Sequence, residues 1–211
     1  RYSRIIMPLE ITARSREEAA LGSEDASYAI KMISSELEYP LIITEDRWKR
    51  QRKMMEERLL AHLELFSQAY ARNCEVRRID KAEAKAFLAG NHSYGYAACR
   101  YCYGLFLKRH TGHIAEETSG SSHIGKMIAV ATFSNARKWM KDGKEIRSYE
   151  WTRYASLPEM RVSGGMGKLL KAFIKEVQPD DIMSYADLEW SEGDVYRALG
   201  FEAEMEKEAV D

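Results

Sequence analysis

One stretch limits the folds open to this chain more than any other. A strand-like run from Ser148 to Leu157 leads into Ser163-Gly-Gly-Met-Gly and then into Lys168-Leu-Leu-Lys-Ala-Phe-Ile-Lys-Glu-Val. Leu169, Leu170, Phe173, Ile174 and Val177 recur at helical spacing, so the segment reads as an amphipathic helix opened by a glycine loop and stopped by Pro179. A helix that buries one face directly after a strand needs a sheet to lie on, which makes this an α/β protein. Gly164, Gly165 and Gly167 let the backbone approach a ligand closely, and the free amides at the helix start form a site for an anion such as a pyrophosphate. Lys168 adds a positive charge there. A tight turn that needs glycine for backbone reasons alone would give the same pattern, and position relative to the other elements must decide.

Those elements form an ordered series. Val76 to Ile79 reads as a strand, and Asp80 with Glu83 three positions later reads as a capping box for a helix reaching Leu88. Tyr101 to Lys108 and Met127 to Ser134 are apolar strands joined by a polar loop. Ile182 to Ala186 is a further strand, and Gly193 to Leu199 a short helix closed by Gly200. Ahead of Cys74 the chain reads as helical. Two short helical stretches precede Tyr39-Pro40, a short strand covers 41–43, and Thr44 caps a helix running to about Arg72 with Trp48, Met55, Leu59, Leu63, Phe66 and Tyr70 on one face. The expected organisation is a helical N-terminal extension over 1–73 and a second unit over 74–211.

With 45% hydrophobic and 31% charged residues the 211-residue chain can bury a sizeable core. No apolar stretch approaches the ~20 residues of a membrane span, and the segment from Arg1 to Arg16 lacks the apolar run of a signal peptide. A cytoplasmic protein with no membrane partner is the expectation. The formal net charge of -1 advertises no polyanion partner globally, yet Arg47-Trp-Lys-Arg-Gln-Arg-Lys53 carries five positive charges in seven residues. Arg47, Lys49, Arg50, Arg52 and Lys53 are therefore candidates for nucleic-acid phosphates, although Glu56, Glu57 and Glu64 on the same helix also fit an ordinary solvated face.

The segment Gly165-Met166-Gly167 at a helix start, followed by Asp181-Ile-Met-Ser-Tyr-Ala-Asp and then Tyr196-Arg-Ala-Leu-Gly-Phe, resembles the GNAT superfamily of N-acetyltransferases. That family's acyl-CoA loop reads Arg/Gln-x-x-Gly-x-Gly, and its later helix ends Tyr-x-x-Leu-Gly-Phe. The alignment places Val162 where the Arg or Gln would stand, with Arg161 one residue early. The specific motifs lie in the final forty residues or so, while the element order extends the resemblance to about 75–201. It implies a GNAT-like mixed central sheet flanked by helices, and acetyl-CoA or another acyl-CoA held by Val162, Gly164, Gly165, Met166, Gly167 and Lys168. It also implies an amine acceptor, with Tyr196 as the acid that protonates the leaving thiolate.

A narrower set of residues is similar to the phage Mom group of DNA-modification proteins. These are Asn91-His92-Ser93-Tyr94, the Trp-Thr-Arg-Tyr strand, the Gly-Gly-x-Gly helix, and Ser184-Tyr-Ala-Asp187 with Gly193 and Tyr196. In that group histidine and tyrosine are adjacent, whereas Ser93 intervenes here. The similarity implies catalytic roles for His92, Tyr94, Asp187 and Tyr196 and a nucleic-acid base as acceptor. His92 would take a proton from the amine or bind a metal, and Asp187 would orient it or the amine.

Other constellations point less far. Cys99-x-x-Cys102 lacks a second pair for a zinc site, and on a strand the two would face opposite ways, so buried thiols are expected. His110, His113 and His123 fall in the polar loop. Asp187-Leu-Glu189 could put two carboxylates on one strand face, as nucleases do. Metal participation is left open. The alternatives to a transferase are a non-catalytic nucleic-acid-binding module on a degenerate GNAT fold, and an interaction protein that forms a homodimer through its long helix.

Overall fold

Two strands, Tyr101–Leu107 (β3) and Met127–Phe133 (β4), are apolar almost without interruption, and in the computed structural model of the protein they form the centre of a sheet covered on both faces. The structure describes residues 43, 45–63, 65–109, 123–141, 143–186 and 193–203. The main sheet runs β2-β3-β4-β6-β5, with β2 at Cys74–Arg78, β5 at Arg137–Lys141 and β6 at Lys144–Ser156; β8 (Asp181–Ser184) pairs with β6 on its own. All pairings in this sheet are antiparallel except β6 with β8, which is parallel. This is an α/β protein with a mostly antiparallel sheet flanked by helices.

The glycine-loop helix, Gly165–Val177, packs one face of the sheet through Leu169, Leu170 and Phe173, against Tyr103, Leu105, Ala131, Phe133 and Trp151. Phe173 lies flat on Phe133, with centroids 3.9 Å apart. On the other face the helix Lys81–Asn91 buries Ala84 and Leu88 against Cys102, Val130 and Ala155. The alternation of Ala129, Val130, Ala131, Thr132 and Phe133 along β4 sends successive side chains to the two helices. Asp80 and Glu83 form the expected capping box: Asp80 Oδ1 accepts from the Glu83 N–H (2.8 Å), and Glu83 Oε2 accepts from the Asp80 N–H (3.1 Å). In chain order the helices are α1 (Glu45–Arg50), α2 (Arg52–His62), α3 (Lys81–Asn91), α4 (Gly165–Val177) and α5 (Asp194–Ala198).

The N-terminal side departs from expectation. The helix expected to reach Arg72 is interrupted at Gln51 and ends at His62. Ser67–Tyr70 is instead a strand, β1, paired in parallel with Met160–Ser163, β7. Phe66 and Tyr70 match a helical stripe in sequence, but the exposed edge of β7 offers main-chain partners that a helix there would leave unpaired. Met55 is fully buried and Ala69 nearly so, and the compact unit that carries the sheet begins at Ile43 rather than at Cys74. The long helix on which a dimerising reading rested is absent. Of the short strand expected at 41–43 only Ile43 is described, and it is not in a strand; Thr44 lies outside the described residues. No helix among the described residues is long and apolar enough to cross a membrane.

Candidate functional site

The start of α4 is built from its glycines outward. Gly164 adopts φ 74° as the residue before the helix, a conformation that favours glycine. A Cβ on Gly165 would stand 2.9 Å from Val162 Cγ1 and 3.1 Å from the Tyr154 hydroxyl, and one on Gly167 would stand 3.1 Å from Leu199 Cδ2. The chain's own atoms therefore use the space these glycines leave. Lys168 does not reach across the loop: its Nζ donates to the carbonyls of Ala71 (2.7 Å) and Cys74 (2.5 Å). Arg161 lies over the Phe66 ring, and Val162 and Met166 pack on the core. What fits an acyl-CoA diphosphate here is main chain, the first N–H groups of a 13-residue helix, which have no intrahelical partner. No side-chain cation among these residues is turned to meet it.

Beside this loop two parallel strands part. β8 pairs with β6 only from Ser148 to Trp151, whereas β6 continues along β4 to Ser156. At the same point β6 carries a bulge. Thr132 pairs with Arg153 and Phe133 with Trp151, which leaves Thr152 as the extra residue. Tyr196, on α5, sets its ring edge-on to Trp151 (6.2 Å) and Phe201 (5.6 Å), while Leu199 meets Gly167. The short helix thus spans from the parting to the glycine loop. Asp187 follows β8 and, with Glu189, lies outside the described residues.

The His92 loop is gathered by cations from three elements. His92 ends α3, and its Nδ1 accepts the Tyr94 N–H (3.1 Å), so in the neutral ring the proton belongs on Nε2. Arg47 of α1 donates to the Tyr94 hydroxyl (3.4 Å), Arg58 of α2 to Ser93 Oγ (3.4 Å), and Arg153 of β6 to the Gly95 carbonyl (3.2 Å). Gln51 adds a bond from Nε2 to the Ser93 carbonyl (3.0 Å). Between α1–α2 and this loop lies a cleft of about 340 Å³ lined by Arg50, Arg52, Lys53, Glu57, His92 and Ser93 among others. Tyr94 stands at 56% exposure, under the Arg47 guanidinium.

The two regions share one residue. Arg153 holds the His92 loop through its Nε, and its carbonyl accepts the indole N–H of Trp151 (3.0 Å), the ring on which Tyr196 leans. The sequence assigns no role to Arg58, and it shows Arg153 only as part of the Trp-Thr-Arg-Tyr strand. An arginine on a central strand between the buried Trp151 and Ala155 is the signal that could have found Arg153, since such a side chain must find several acceptors. The basic run is more muted than its sequence suggests. Lys49 pairs with Glu45, Arg52 with Glu56 (2.8 Å) and Lys53 with Glu57 (3.8 Å), each one helical turn apart, whereas Arg50 makes no ion pair among the described residues.

The cysteines are buried thiols, as expected, but Cys99 and Cys102 do not face apart: their sulfurs are 3.3 Å from each other. Cys99 precedes the strand, so the alternation of side chains that would have separated them does not apply. Burial, with Cys99 alongside, pushes the Cys102 thiol up to about 12, and burial also raises Cys74. These thiols hold their protons in the folded state beyond the pH at which an unfolded chain releases them. Their contribution to stability is complete below the ordinary thiol range and is lost as pH rises through it toward about 12. Urea midpoints should fall between pH 8 and 10, and a variant with Cys74→Ala and Cys102→Ala should flatten that fall. Among the described residues no three His, Cys, Asp or Glu side chains cluster as a metal site; His110 and His113 lie outside them, and His123 sits 3.4 Å from Glu159.

No protein-family model matches the chain, and no curated protein matches it. Among solved structures it is similar to a tetramutant of the BH1408 protein from Bacillus halodurans, with a TM-score of 0.42 and 11% identity over 65% of this chain and 99% of that one. It is also similar to the integron cassette protein VCH_CASS6 from V. cholerae, with a TM-score of 0.42 and 12% identity over 66% of this chain and 91% of that one.

Proposed function

We propose that the chain is a GNAT-like transferase that moves an acyl group from acyl-CoA to an amine carried on a nucleic acid. The observation that carries this reading is Arg153, which ties the arginine-ringed His92 loop to the point where β6 and β8 part, so that an anion-attracting acceptor side adjoins a donor side. Acyl-CoA, when bound, supplies a thioester carbonyl open to attack by an amine. The amides at the start of α4 serve an anionic diphosphate, and the edge of β6 past Trp151 offers main-chain partners to an extended amide chain. The Tyr196 hydroxyl, which has no hydrogen bond among the described residues, holds a proton for a leaving sulfur. His92 accepts the proton that an attacking amine must lose at Nδ1, once that atom gives up the Tyr94 N–H, because Nε2 already carries the proton of the neutral ring. Arg47, Arg50 and Arg58 favour an acceptor that carries phosphates.

The test is transfer of label from radioactive acetyl-CoA to DNA. Label should enter DNA, and His92→Ala and Tyr196→Phe should each lower the rate by about 10²–10⁴-fold at unchanged melting temperature. An unlabelled product together with no thermal shift at millimolar acetyl-CoA would sink the reading, since a ligand at 100 times its Kd adds about 2.7 kcal/mol. A second reading, a non-catalytic nucleic-acid-binding module on a degenerate fold, is favoured by the engagement of Lys168 with two carbonyls and by the filled space around the glycines. Salt-dependent DNA binding that survives Gly165→Ala and Tyr196→Phe, without transfer, would select it.

A further inference from the structure

The part of the β5–β6 hairpin from Arg137 to Ser148 takes no part in the candidate site, and its two faces differ in charge balance. β5 pairs with β6 and with no other described strand, through Arg137↔Ser148, Lys138↔Arg147, Trp139↔Ile146 and Met140↔Glu145, and Gly143 at φ 77° closes the turn. Side chains alternate across a strand, so Lys138, Met140, Glu145 and Arg147 share one face and Arg137, Trp139, Lys144, Ile146 and Ser148 the other. On the first face the cations are spent internally: Lys138 pairs with Glu145 (2.8 Å), and Arg147 pairs with Asp180 (3.2 Å) and donates to the Gln178 carbonyl (2.7 Å). On the second, Arg137 and Lys144 are exposed and make no ion pair among the described residues. Two carboxylates stand at the root of that face: Asp181 accepts from Ser148 Oγ (2.6 Å), and Glu150 follows Ser148 by two residues on the same side of β6. Trp139 lies between the two cations, 46% exposed.

Charges alone have a simpler explanation, since lysine and arginine on an edge strand discourage sheet-to-sheet association. That explanation does not call for an exposed tryptophan, and it would be served equally well by cations already paired. We propose that the Arg137–Trp139–Lys144 face binds a single-stranded stretch of nucleic acid, with the indole stacked on a base and the two cations on flanking phosphates. Single-stranded rather than duplex nucleic acid fits because an indole can stack only on a base whose face is free. The proposal rests on the reading that the substrate is a nucleic acid, and it adds a second contact surface remote in sequence from the His92 loop.

The test is binding of a short oligothymidylate to the full chain, followed by fluorescence polarisation across a salt series, with heparin as a polyanion without bases. Trp139→Ala should weaken oligothymidylate about tenfold and leave heparin unchanged, and Trp139→Phe should restore most of the loss. Arg137→Gln with Lys144→Gln should weaken both ligands and lower the oligothymidylate salt slope by about 1.4. Equal oligothymidylate affinity in Trp139→Ala overturns the proposal, as does equal weakening of heparin, and binding of polyglutamate but not oligothymidylate would assign an acidic peptide and overturn it too. Failure here with acetyl transfer to DNA intact leaves the transferase reading standing. Retention here with no transfer and no acyl-CoA thermal shift removes the transferase reading alone.

Discussion

Truncating Phe173 to alanine is expected to lower stability by about 3–5 kcal/mol, the largest loss from any single change considered. The ring is fully buried, lies on Phe133 at 3.9 Å with the planes 3° apart, and meets Tyr101, Tyr103 and Tyr149 edge-on. It is the main aromatic link between α4 and the sheet, so its loss opens a cavity that neither a helix nor a six-stranded sheet can collapse to fill. In a domain of this size the melting temperature should fall by about 10 °C or more, and the urea midpoint should fall at unchanged slope. Phe173→Leu should recover part of the loss. A shift of under about 2 °C for Phe173→Ala would show that the two layers are held elsewhere. Because the start of α4 is the donor side of the proposed site, acyl-CoA should also bind Phe173→Ala more weakly when assayed just below its transition.

Lys168→Met separates two roles that the sequence leaves superposed. If Lys168 served a cofactor's diphosphate, its removal would weaken acyl-CoA and leave the apo protein's stability nearly unchanged. In the structure its ammonium donates to the Ala71 and Cys74 carbonyls, on either side of the turn between β1 and β2. Methionine keeps most of the packing volume and leaves both acceptors without this charged donor. A loss of about 1.5–3 kcal/mol is therefore expected in the absence of any ligand, with the acyl-CoA thermal shift retained. Unchanged apo stability together with an abolished acyl-CoA shift would restore the cofactor role. The loss should be largely independent of salt, because part-buried hydrogen bonds are screened little, whereas a diphosphate contact would weaken steeply with ionic strength.

What could be read in advance follows from the range of the interactions involved. Asp80 and Glu83 specify a helix start through bonds that span three residues, and that capping box is present as expected. The apolar runs of β3 and β4 and the stripe of Leu169, Leu170, Phe173 and Val177 need only a neighbouring layer, so their burial was legible too, whereas Ile174 of the same expected stripe is 43% exposed. Phe66 and Tyr70 were not, since their spacing suits a helix and only the edge of β7, more than ninety residues away, makes Ser67–Tyr70 a strand. The short β5 was missed because all its described side chains are exposed, which leaves no period of burial to read. In the site, His92 and Tyr196 stood out by motif, but Arg58 and the role of Arg153 did not, because an arginine's partners are set by which loop comes to rest beside it.

The opening stretch shows the division most clearly. By itself the sequence determined that a glycine loop starts an amphipathic helix on a sheet, because backbone freedom at Gly164 and the 3.6-residue period of the apolar stripe are local properties. Only the tertiary structure decided what that loop meets. Tyr154, Val162 and Leu199 close around its glycines, Ala71 and Cys74 take up Lys168, and β8 leaves β6 at Trp151 beside it. Each of those contacts joins segments far apart in the chain, and their geometry depends on packing that no local spacing encodes.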